Sequence, residues 1–285
     1  MNPAHKNFIF ILRVCCFLLF LGRGWQHVFW DAPYRTILWN QGLLQGIVEN
    51  LSSMSWNEYV TSPLVDSYIQ RFIEAIGIFY LGLALFSLFV SKKMVKASKL
   101  LLVGSLSLFV LSFLYFMAKF FAIGMLIEHA IQFGLPLTLY LAVVKEESVI
   151  KYLNLFKTLI ALTFIGHGMF AFGIHPTPGP FIDMFINVFS VSEETALYLL
   201  KVAGSLDFLV GILIFIPEVA KGALAFNIFW GIVTACARSF AHIDGELLGM
   251  TSHQWIFETI YRLPHGLFPL AVYLLIKNTE LTQSK

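Results

Sequence analysis

Charged residues are scarce in this chain. Only 13% of its 285 residues are Asp, Glu, Lys or Arg, and the formal net charge is +2. A typical soluble domain carries about twice that share of charged side chains. The basic residues are also scattered, so they predict no surface that could follow a nucleic-acid backbone. Composition therefore excludes a soluble globular protein and argues against a nucleic-acid partner.

Cysteine is also rare. Cys15, Cys16 and Cys236 all fall in apolar runs, and none belongs to a Cys-x-x-Cys pair. Neighbouring residues of a helix point about 100° apart, so Cys15 and Cys16 are poorly placed for a disulfide. We interpret the three residues as buried apolar thiols, and the spacing predicts neither a disulfide framework nor a zinc site.

Apolar sequence, by contrast, is abundant. Apolar residues make up 58% of the chain, and the mean hydropathy is +0.77. Runs of about 18 apolar residues or more are typical of membrane-spanning helices. We predict an all-α integral membrane protein of about eight spans. The first run should remain as a span, because it is long and lacks a small-residue cleavage site. The predicted spans are 8–30, 68–90, 99–121, 126–144, 154–174, 195–216, 221–241 and 255–276.

Long loops follow spans 1 and 5. In each loop apolar residues recur at helical spacing, which predicts an amphipathic helix lying on the membrane surface. Ser190 and Glu193 resemble a capping box and predict the start of span 6. The apolar positions are Ile37, Leu38, Leu44, Ile47, Val48 and Leu51 in the first loop and Phe181, Ile182, Phe185, Val188 and Phe189 in the second.

The second half of the chain repeats landmarks of the first half in the same order. Gly22-Arg23-Gly24 in span 1 matches Gly166-His167-Gly168 in span 5, and in both cases a basic residue lies nine positions before the first Gly. The motif Ala-[Lys/Arg]-x-Phe-Ala ends span 3 at 118–122 and span 7 at 237–241. Such a series favours an internal duplication.

Spans 4 and 8 supply a third landmark. Each contains Pro-Leu-x-x-Tyr-Leu, beginning at Pro136 and at Pro269, and each has a Glu upstream, Glu128 and Glu258. We therefore predict two four-helix bundles. Since each bundle has an even number of spans, the two share one orientation, as in parallel repeats. The predicted repeats are residues 1–148 and 149–285.

Basic residues in the short loops predict the orientation in the membrane. They lie between spans 2 and 3, between spans 4 and 5, after span 6 and after span 8, all on the side of the N-terminus. Cytoplasmic loops carry the excess of Lys and Arg, so both termini are predicted to be cytoplasmic and the two long loops external.

This orientation places the unusual polar residues at one level, in the outer parts of their spans. An ionisable group at that depth is costly, so its presence needs a reason. Arg23 and His27 share a helix face, and Glu258, Arg262 and His265 form one stripe on span 8. We predict an outward-opening pocket lined by Arg/Lys and Glu pairs. The candidate ligand-binding residues are Arg23, His27, Glu74, Lys119, Glu128, Gln132, His167, Arg238, Glu258, Arg262 and His265.

Structural interpretations of these residues stay open. Basic groups near span ends can extend to the interface or pair with a Glu that closes the bundle. The paired glycines can serve only to let helices approach closely. Haem is disfavoured, because His167 aligns with Arg23 rather than with His27. We predict no metal site, and no phosphate loop or Ser-His-Asp pattern occurs.

Several of these features resemble the DoxX family of four-helix membrane proteins. They are the first span with Gly-x-Gly and a basic or His residue, the amphipathic external loop, and Glu74-Ala75-Ile76-Gly77 before Gly82. The chain resembles a tandem pair of DoxX-like units, although Ala203-Gly204-Ser205 replaces the Glu element in the second. The resemblance implies a bacterial inner membrane and a link to thiol, sulfur or quinone redox chemistry.

Three functions follow as hypotheses, and whether the protein is an enzyme stays open. The first is a redox-linked membrane subunit that binds quinone, or a thiol-type molecule, in the outward pocket. Its partners would be the lipid bilayer and a soluble or membrane redox protein. The second is a transporter or lipid-handling protein that uses the same cavity. The third is a structural or assembly partner without a ligand.

Overall fold

The computed structural model describes residues 3–144 and 146–283, and every regular element in these ranges is a helix. Helices suit a chain of long apolar runs, because each backbone amide then finds its partner within its own segment. Short 3-10 helices cover Lys92–Met94 and Glu146–Tyr152, and the second of these contains the predicted boundary between the halves. The α-helices are α1 (Pro3–Phe29), α2 (Arg35–Leu38), α3 (Gln41–Leu51), α4 (Trp56–Thr61), α5 (Pro63–Phe89), α6 (Val95–Ser98), α7 (Leu100–Ala118), α8 (Ile123–Ile127), α9 (Ala130–Val144), α10 (Leu153–Phe172), α11 (Gly179–Phe189), α12 (Glu193–Leu213), α13 (Pro217–His242), α14 (Leu248–Arg262) and α15 (Pro264–Gln283).

Eight segments in the described part of the chain are long and apolar enough to cross a membrane. The chain is therefore a polytopic all-α membrane protein, as predicted. The segments are His5–Phe29, Pro63–Phe89, Leu100–Ala118, Ile123–Val144, Val149–Phe172, Glu193–Leu213, Pro217–His242 and Leu248–Thr279, and we call them spans 1 to 8.

The starts of two spans are set by local capping. Span 2 begins at Pro63, five residues before its predicted start, because Ser62 caps the helix and proline is favoured in its first turn. The capping box predicted at Ser190 is wrong. Ser192 caps α12 by accepting from the Thr195 amide, whereas Ser190 closes α11 with a left-handed φ of 54°.

Spans 4 and 8 are each interrupted. Span 4 consists of α8 and α9 with a turn at Glu128 and His129, and span 8 consists of α14 and α15 with a break at Leu263. Pro264 explains the second break, because its nitrogen has no hydrogen to donate to the preceding turn and proline is favoured in the first turn of a helix. Hydropathy alone predicted both spans as continuous. Both interruptions lie beside the polar residues described below.

Amphipathic helices occupy both long loops, as predicted. In the first loop, α3 leaves Leu43, Ile47 and Leu51 exposed. Hydrogen bonds between Gln41 and Gln45 and between Gln45 and Glu49 run along its polar side. An apolar stripe beside a polar one is typical of a helix that lies in the membrane interface. In the second loop, α11 packs against α12 and α13.

The core forms where helices of the two halves meet. The α1 helix packs along α5, α9, α14 and α15, and α10 packs along α8, α9, α12 and α15. The aromatic rings of Phe8, Phe156 and Phe268 join α1, α10 and α15, with centroid separations of 5.6 and 6.1 Å. The halves therefore interleave, each placing its first span against the last span of the other. The duplication itself stays a prediction, although the packing partners correspond.

The paired glycines lie at these contacts. A Cβ atom at Gly22 would come within 2.8 Å of the Phe257 carbonyl oxygen, and one at Gly166 within 2.5 Å of the Glu128 nitrogen. The second glycines face spans 2 and 6, where a Cβ at Gly24 or Gly168 would lie about 3 Å from a glycine carbonyl oxygen. Close helix approach is therefore one role of both Gly-x-Gly motifs.

Candidate functional site

Most of the predicted polar residues lie in one layer between the two halves. This layer sits beside the interruptions of spans 4 and 8. Charged groups at this depth persist where they find partners inside the protein. The buried members are Arg23, His27, Glu128, Gln132, Arg238 and His265, and the partly exposed members are His167, Glu258 and Arg262.

Arg23 is the best-bonded residue of the layer. It is 1% exposed, and its Nε and Nη2 donate to Gln132 Oε1 at 2.9 and 2.6 Å. Its Nη1 donates to Gln26 Oε1 at 2.7 Å, and Gln26 Nε2 donates to the Tyr115 hydroxyl at 2.6 Å. Neutral amides and a phenol thus satisfy a buried guanidinium group without a carboxylate.

Tyr261 links Arg23 to the second half. The Arg23 guanidinium carbon lies 3.9 Å from the Tyr261 ring centroid, within cation–π range. Arg262 Nη1 donates to the Tyr261 hydroxyl at 2.9 Å. Gln26, Tyr115 and Tyr261 were missed in the sequence. A polar Gln26 one turn from Arg23 was an available signal, whereas the two tyrosines had none.

Glu128 and His167 form a second pair across the halves. Glu128 Oε2 lies 3.3 Å from His167 Nδ1, and Glu128 Oε1 lies 3.7 Å from His129 Nδ1. The rings of His167 and His265 lie 5.4 Å apart by centroid. One carboxylate and three imidazoles therefore adjoin, and such groups can bind or exchange a proton.

Arg238 and Glu258 form an ion pair within the second half. Arg238 Nη1 donates to Glu258 Oε2 at 3.1 Å. Arg262 lies in the same region and experiences the field of the Glu258 and Glu128 carboxylates. Two arginines and two carboxylates therefore lie in this part of the layer, and one arginine is directly paired with a carboxylate.

Glu128 and Glu258 are not at equivalent positions. Glu128 lies eight residues before Pro136, and the residue eight before Pro269 is Tyr261. Tyr261 contacts Arg23 just as Glu128 contacts His167. The layer therefore pairs the Gly-x-Gly element of each half with the interrupted span of the other half.

Two predicted residues lie outside the layer. Lys119 is exposed at the end of α7, where Phe120 and Phe121 take left-handed φ values of 53° and 59°. Its motif partner Arg238 is buried within α13, because that helix continues to His242. Glu74 is partly exposed on α5 and has no hydrogen-bond or ion-pair partner in the described part of the chain. The side chains of Lys119 and Glu74 therefore lie apart from the other candidate residues.

His27 belongs to an aromatic cluster within the first half. It is fully buried, and its ring meets those of Tyr80 and Tyr34 edge-on at 5.1 and 5.7 Å. Tyr80 also bonds Ser107 at 2.8 Å. Burial raises the pKa of the Tyr34 phenol well above its usual range, so the hydroxyl keeps its proton beside His27 Nε2. These contacts describe a packing role for His27.

A cavity of about 240 Å³ lies in the second half, between α10, α12, α13 and α15 and beneath α11. Its walls are mostly apolar, and Phe181, Met184 and Phe185 of α11 cover it. The polar residues at the cavity are Asp207, Thr234, His167, Arg238, Arg262 and His265.

Three polar atoms at this cavity lack a protein partner. They are Arg262 Nε, His265 Nε2 and Asp207 Oδ1, all buried and without a hydrogen bond within the described residues. Most buried polar atoms in folded proteins are satisfied, so three exceptions around one cavity favour a ligand site. Asp207 was not among the predicted site residues, although an acid deep in span 6 was a signal.

The described residues contain no group of three or more His, Cys, Asp or Glu that could hold a metal ion. Fold and site together define the chain as a polytopic membrane protein with a polar layer and an adjoining apolar cavity. No protein-family model, curated protein or solved structure matches this chain. The DoxX-like resemblance therefore stays a prediction from the sequence.

Proposed function

We propose that this protein binds a neutral, lipid-soluble molecule of the quinone class in the cavity and serves as a redox-linked membrane subunit. The observation that carries the proposal is an apolar cavity with unpartnered Arg262 Nε and His265 Nε2 among its polar groups. A quinone has an apolar body and carbonyl oxygens that accept hydrogen bonds from the Arg262 N–H, and from His265 in the tautomer with its hydrogen on Nε2.

Charge favours a neutral ligand over an anion. Arg238 is paired with Glu258, and Arg262 lies in the field of two carboxylates. An anionic head group would have to compete with these carboxylates, and Asp207 in the same cavity would repel it if ionised. A carbonyl oxygen needs only an N–H donor, so it fits this environment without disturbing the ion pair.

Thermal unfolding tests the proposal. A short-chain quinone added to the purified protein should raise its melting temperature, since a ligand at 100 times its Kd adds about 2.7 kcal/mol to the free energy of unfolding. Arg262→Gln should reduce the shift, whereas Arg71→Gln, at an exposed position on α5, should leave it unchanged. Absence of a shift with every quinone up to its solubility limit would contradict the proposal.

The redox-linked role and the cellular setting rest on the DoxX-like resemblance. We place the protein in a bacterial inner membrane with both termini cytoplasmic and with a soluble or membrane redox protein as its partner. Membranes containing the protein should then reduce added quinone when a thiol or sulfur compound is supplied as electron donor. Equal rates in membranes that lack the protein would exclude this role and leave simple quinone binding.

The interrupted spans favour a second candidate, a transporter or lipid-handling protein. The breaks at Glu128–His129 and at Leu263 border the polar layer, and discontinuous helices at a polar site are typical of secondary transporters. Uptake of a labelled lipid-soluble substrate into protein-containing liposomes separates the candidates. Net transfer without any quinone-dependent stabilisation would favour the transporter.

A further inference from the structure

A second cavity, of about 540 Å³, lies in the first half at the end where α1 begins and α5 ends. Its walls come from α1, from the segment that follows α5, and from the end of α9. Among the described residues at this cavity, basic side chains predominate and none is acidic. Such an excess of positive charge favours an anionic ligand. The lining residues are Lys6, Ile9, Arg13, Ser91, Lys92, Lys93 and Val143.

Arg13 is the basic residue nine positions before Gly22, and the quinone proposal gives it no role. Its Nη2 donates at 2.6 Å to the carbonyl oxygen of Val90, the residue that caps the end of α5. That contact uses only part of the donor capacity of a guanidinium group. The Arg13 Nε atom is buried without a hydrogen bond, and no carboxylate pairs with this side chain in the described part of the chain. An arginine that merely extended to the interface would have water around its nitrogens, whereas Arg13 is fixed in place with donors to spare.

Two lysines add to this positive charge. Lys6 and Lys93 are exposed at the cavity and have no hydrogen-bond or ion-pair partner among the described residues, whereas Lys92 already interacts with another group. Elsewhere in the molecule, Arg35 and Arg238 each pair with a carboxylate. An anion could therefore enter this cavity without displacing an ion pair made by its unpartnered cations.

The position of the cavity indicates which anion fits. Its basic residues lie on the side predicted to be cytoplasmic, and basic pockets between spans on that side bind the head groups of anionic lipids. Phosphate oxygens match the donors of a guanidinium group, and Ile9 and Val143 offer an apolar wall to the glycerol and upper acyl chain.

We infer that this cavity binds the phosphate head group of an anionic phospholipid, held by Arg13, Lys6 and Lys93. The inference does not rest on quinone binding, because the two cavities share no lining residue. It gives the basic residue before the first Gly-x-Gly motif a role in binding lipid.

Three additives test the inference on the unmodified protein, purified without lipid in an uncharged detergent. They are dioctanoyl phosphatidylglycerol, dioctanoyl phosphatidylcholine and inorganic phosphate. Equilibrium titration should show phosphatidylglycerol bound roughly tenfold more tightly than phosphatidylcholine, whose choline cation the basic residues repel. Inorganic phosphate should bind more weakly than phosphatidylglycerol, because it lacks the apolar part.

Two outcomes of this titration would overturn the lipid assignment. Equal binding of the two lipids, or no binding of phosphatidylglycerol, would show that the cavity does not select an anionic head group. If inorganic phosphate bound as tightly as phosphatidylglycerol, the ligand would be a soluble phosphate rather than a lipid.

Variants locate the site. Arg13→Gln should weaken phosphatidylglycerol binding by about fivefold, the effect of about 1 kcal/mol for one basic residue near an anionic lipid. The double variant Lys6→Gln with Lys93→Gln changes only exposed positions, so it tests the site even if Arg13→Gln does not fold. It should also weaken binding, whereas Lys99→Gln, exposed on the same side but outside the cavity, should not. Full binding by the double variant, or an equal loss in Lys99→Gln, would overturn the assignment.

Discussion

The guanidinium group of Arg23 lies over the ring of Tyr261, 3.9 Å from its centroid. This contact joins the first span to the interrupted last span. Arg23 also donates to Gln132 and Gln26, so one side chain holds together α1, α9 and α14. The polar layer therefore fixes the arrangement of the helices as well as lining a cavity.

Arg23→Lys should destabilise the protein although it keeps the charge. Lysine cannot reproduce the planar fork that serves both Gln132 and Gln26. We expect a loss of roughly 2–4 kcal/mol, as for other buried charged networks from which one partner is removed. Thermal unfolding in one detergent measures it, with exposed Arg71→Lys as the matched control. Equal melting temperatures for the two variants would show that the network contributes little.

Gly166→Ala tests the close approach of spans 4 and 5. The added Cβ would lie 2.5 Å from the Glu128 nitrogen, a backbone atom that cannot move without shifting α8. We expect a loss of roughly 1–3 kcal/mol in unfolding free energy. Gly82→Ala is the control, because that glycine lies inside α5 with nothing within 4 Å of its Cβ position. There alanine should be neutral or stabilise by up to about 1 kcal/mol.

The sequence was informative where one physical rule dominates. Hydropathy located all eight spans, because an apolar run of this length has few stable structures other than a membrane-spanning helix. It could not locate the interruptions in spans 4 and 8, since hydropathy averaged over a whole segment stays high across a short turn, although Pro264 was an available signal for the second. Helical periodicity predicted both surface helices, because apolar residues recur at helical spacing in each long loop.

The site was only partly predictable. Arg23, His167 and Arg238 could be selected from the sequence, because charged and imidazole side chains are rare within its apolar runs. Matching short motifs was less reliable: Lys119 shares a motif with Arg238 but lies where its own helix ends. Tyr261 is a partner of Arg23 only because the two halves interleave. The composition of the chain contains no signal for that contact.

Cysteine labelling checks the predicted orientation. Asn57→Cys, on α4 in the loop predicted to be external, should react with a membrane-impermeant maleimide on intact cells. Lys93→Cys, between α5 and α6, should react only after the membrane is permeabilised. Both positions are exposed, whereas the native Cys15 and Cys16 are buried and give little background. A Cys236→Ser background removes the third thiol. The reverse labelling pattern would place both termini outside.

Ala203→Leu should close the cavity from one wall. Ala203 lies on α12, is 7% exposed and lines the cavity. Filling that space should raise the stability of the ligand-free protein by about 1 kcal/mol, because the added methyl groups become buried. The same change should abolish the rise in melting temperature on adding quinone, since the ring no longer fits. Ala75→Leu, exposed on α5, should change neither measurement. If Ala203→Leu kept the full quinone response, the ligand would have to bind somewhere other than this cavity.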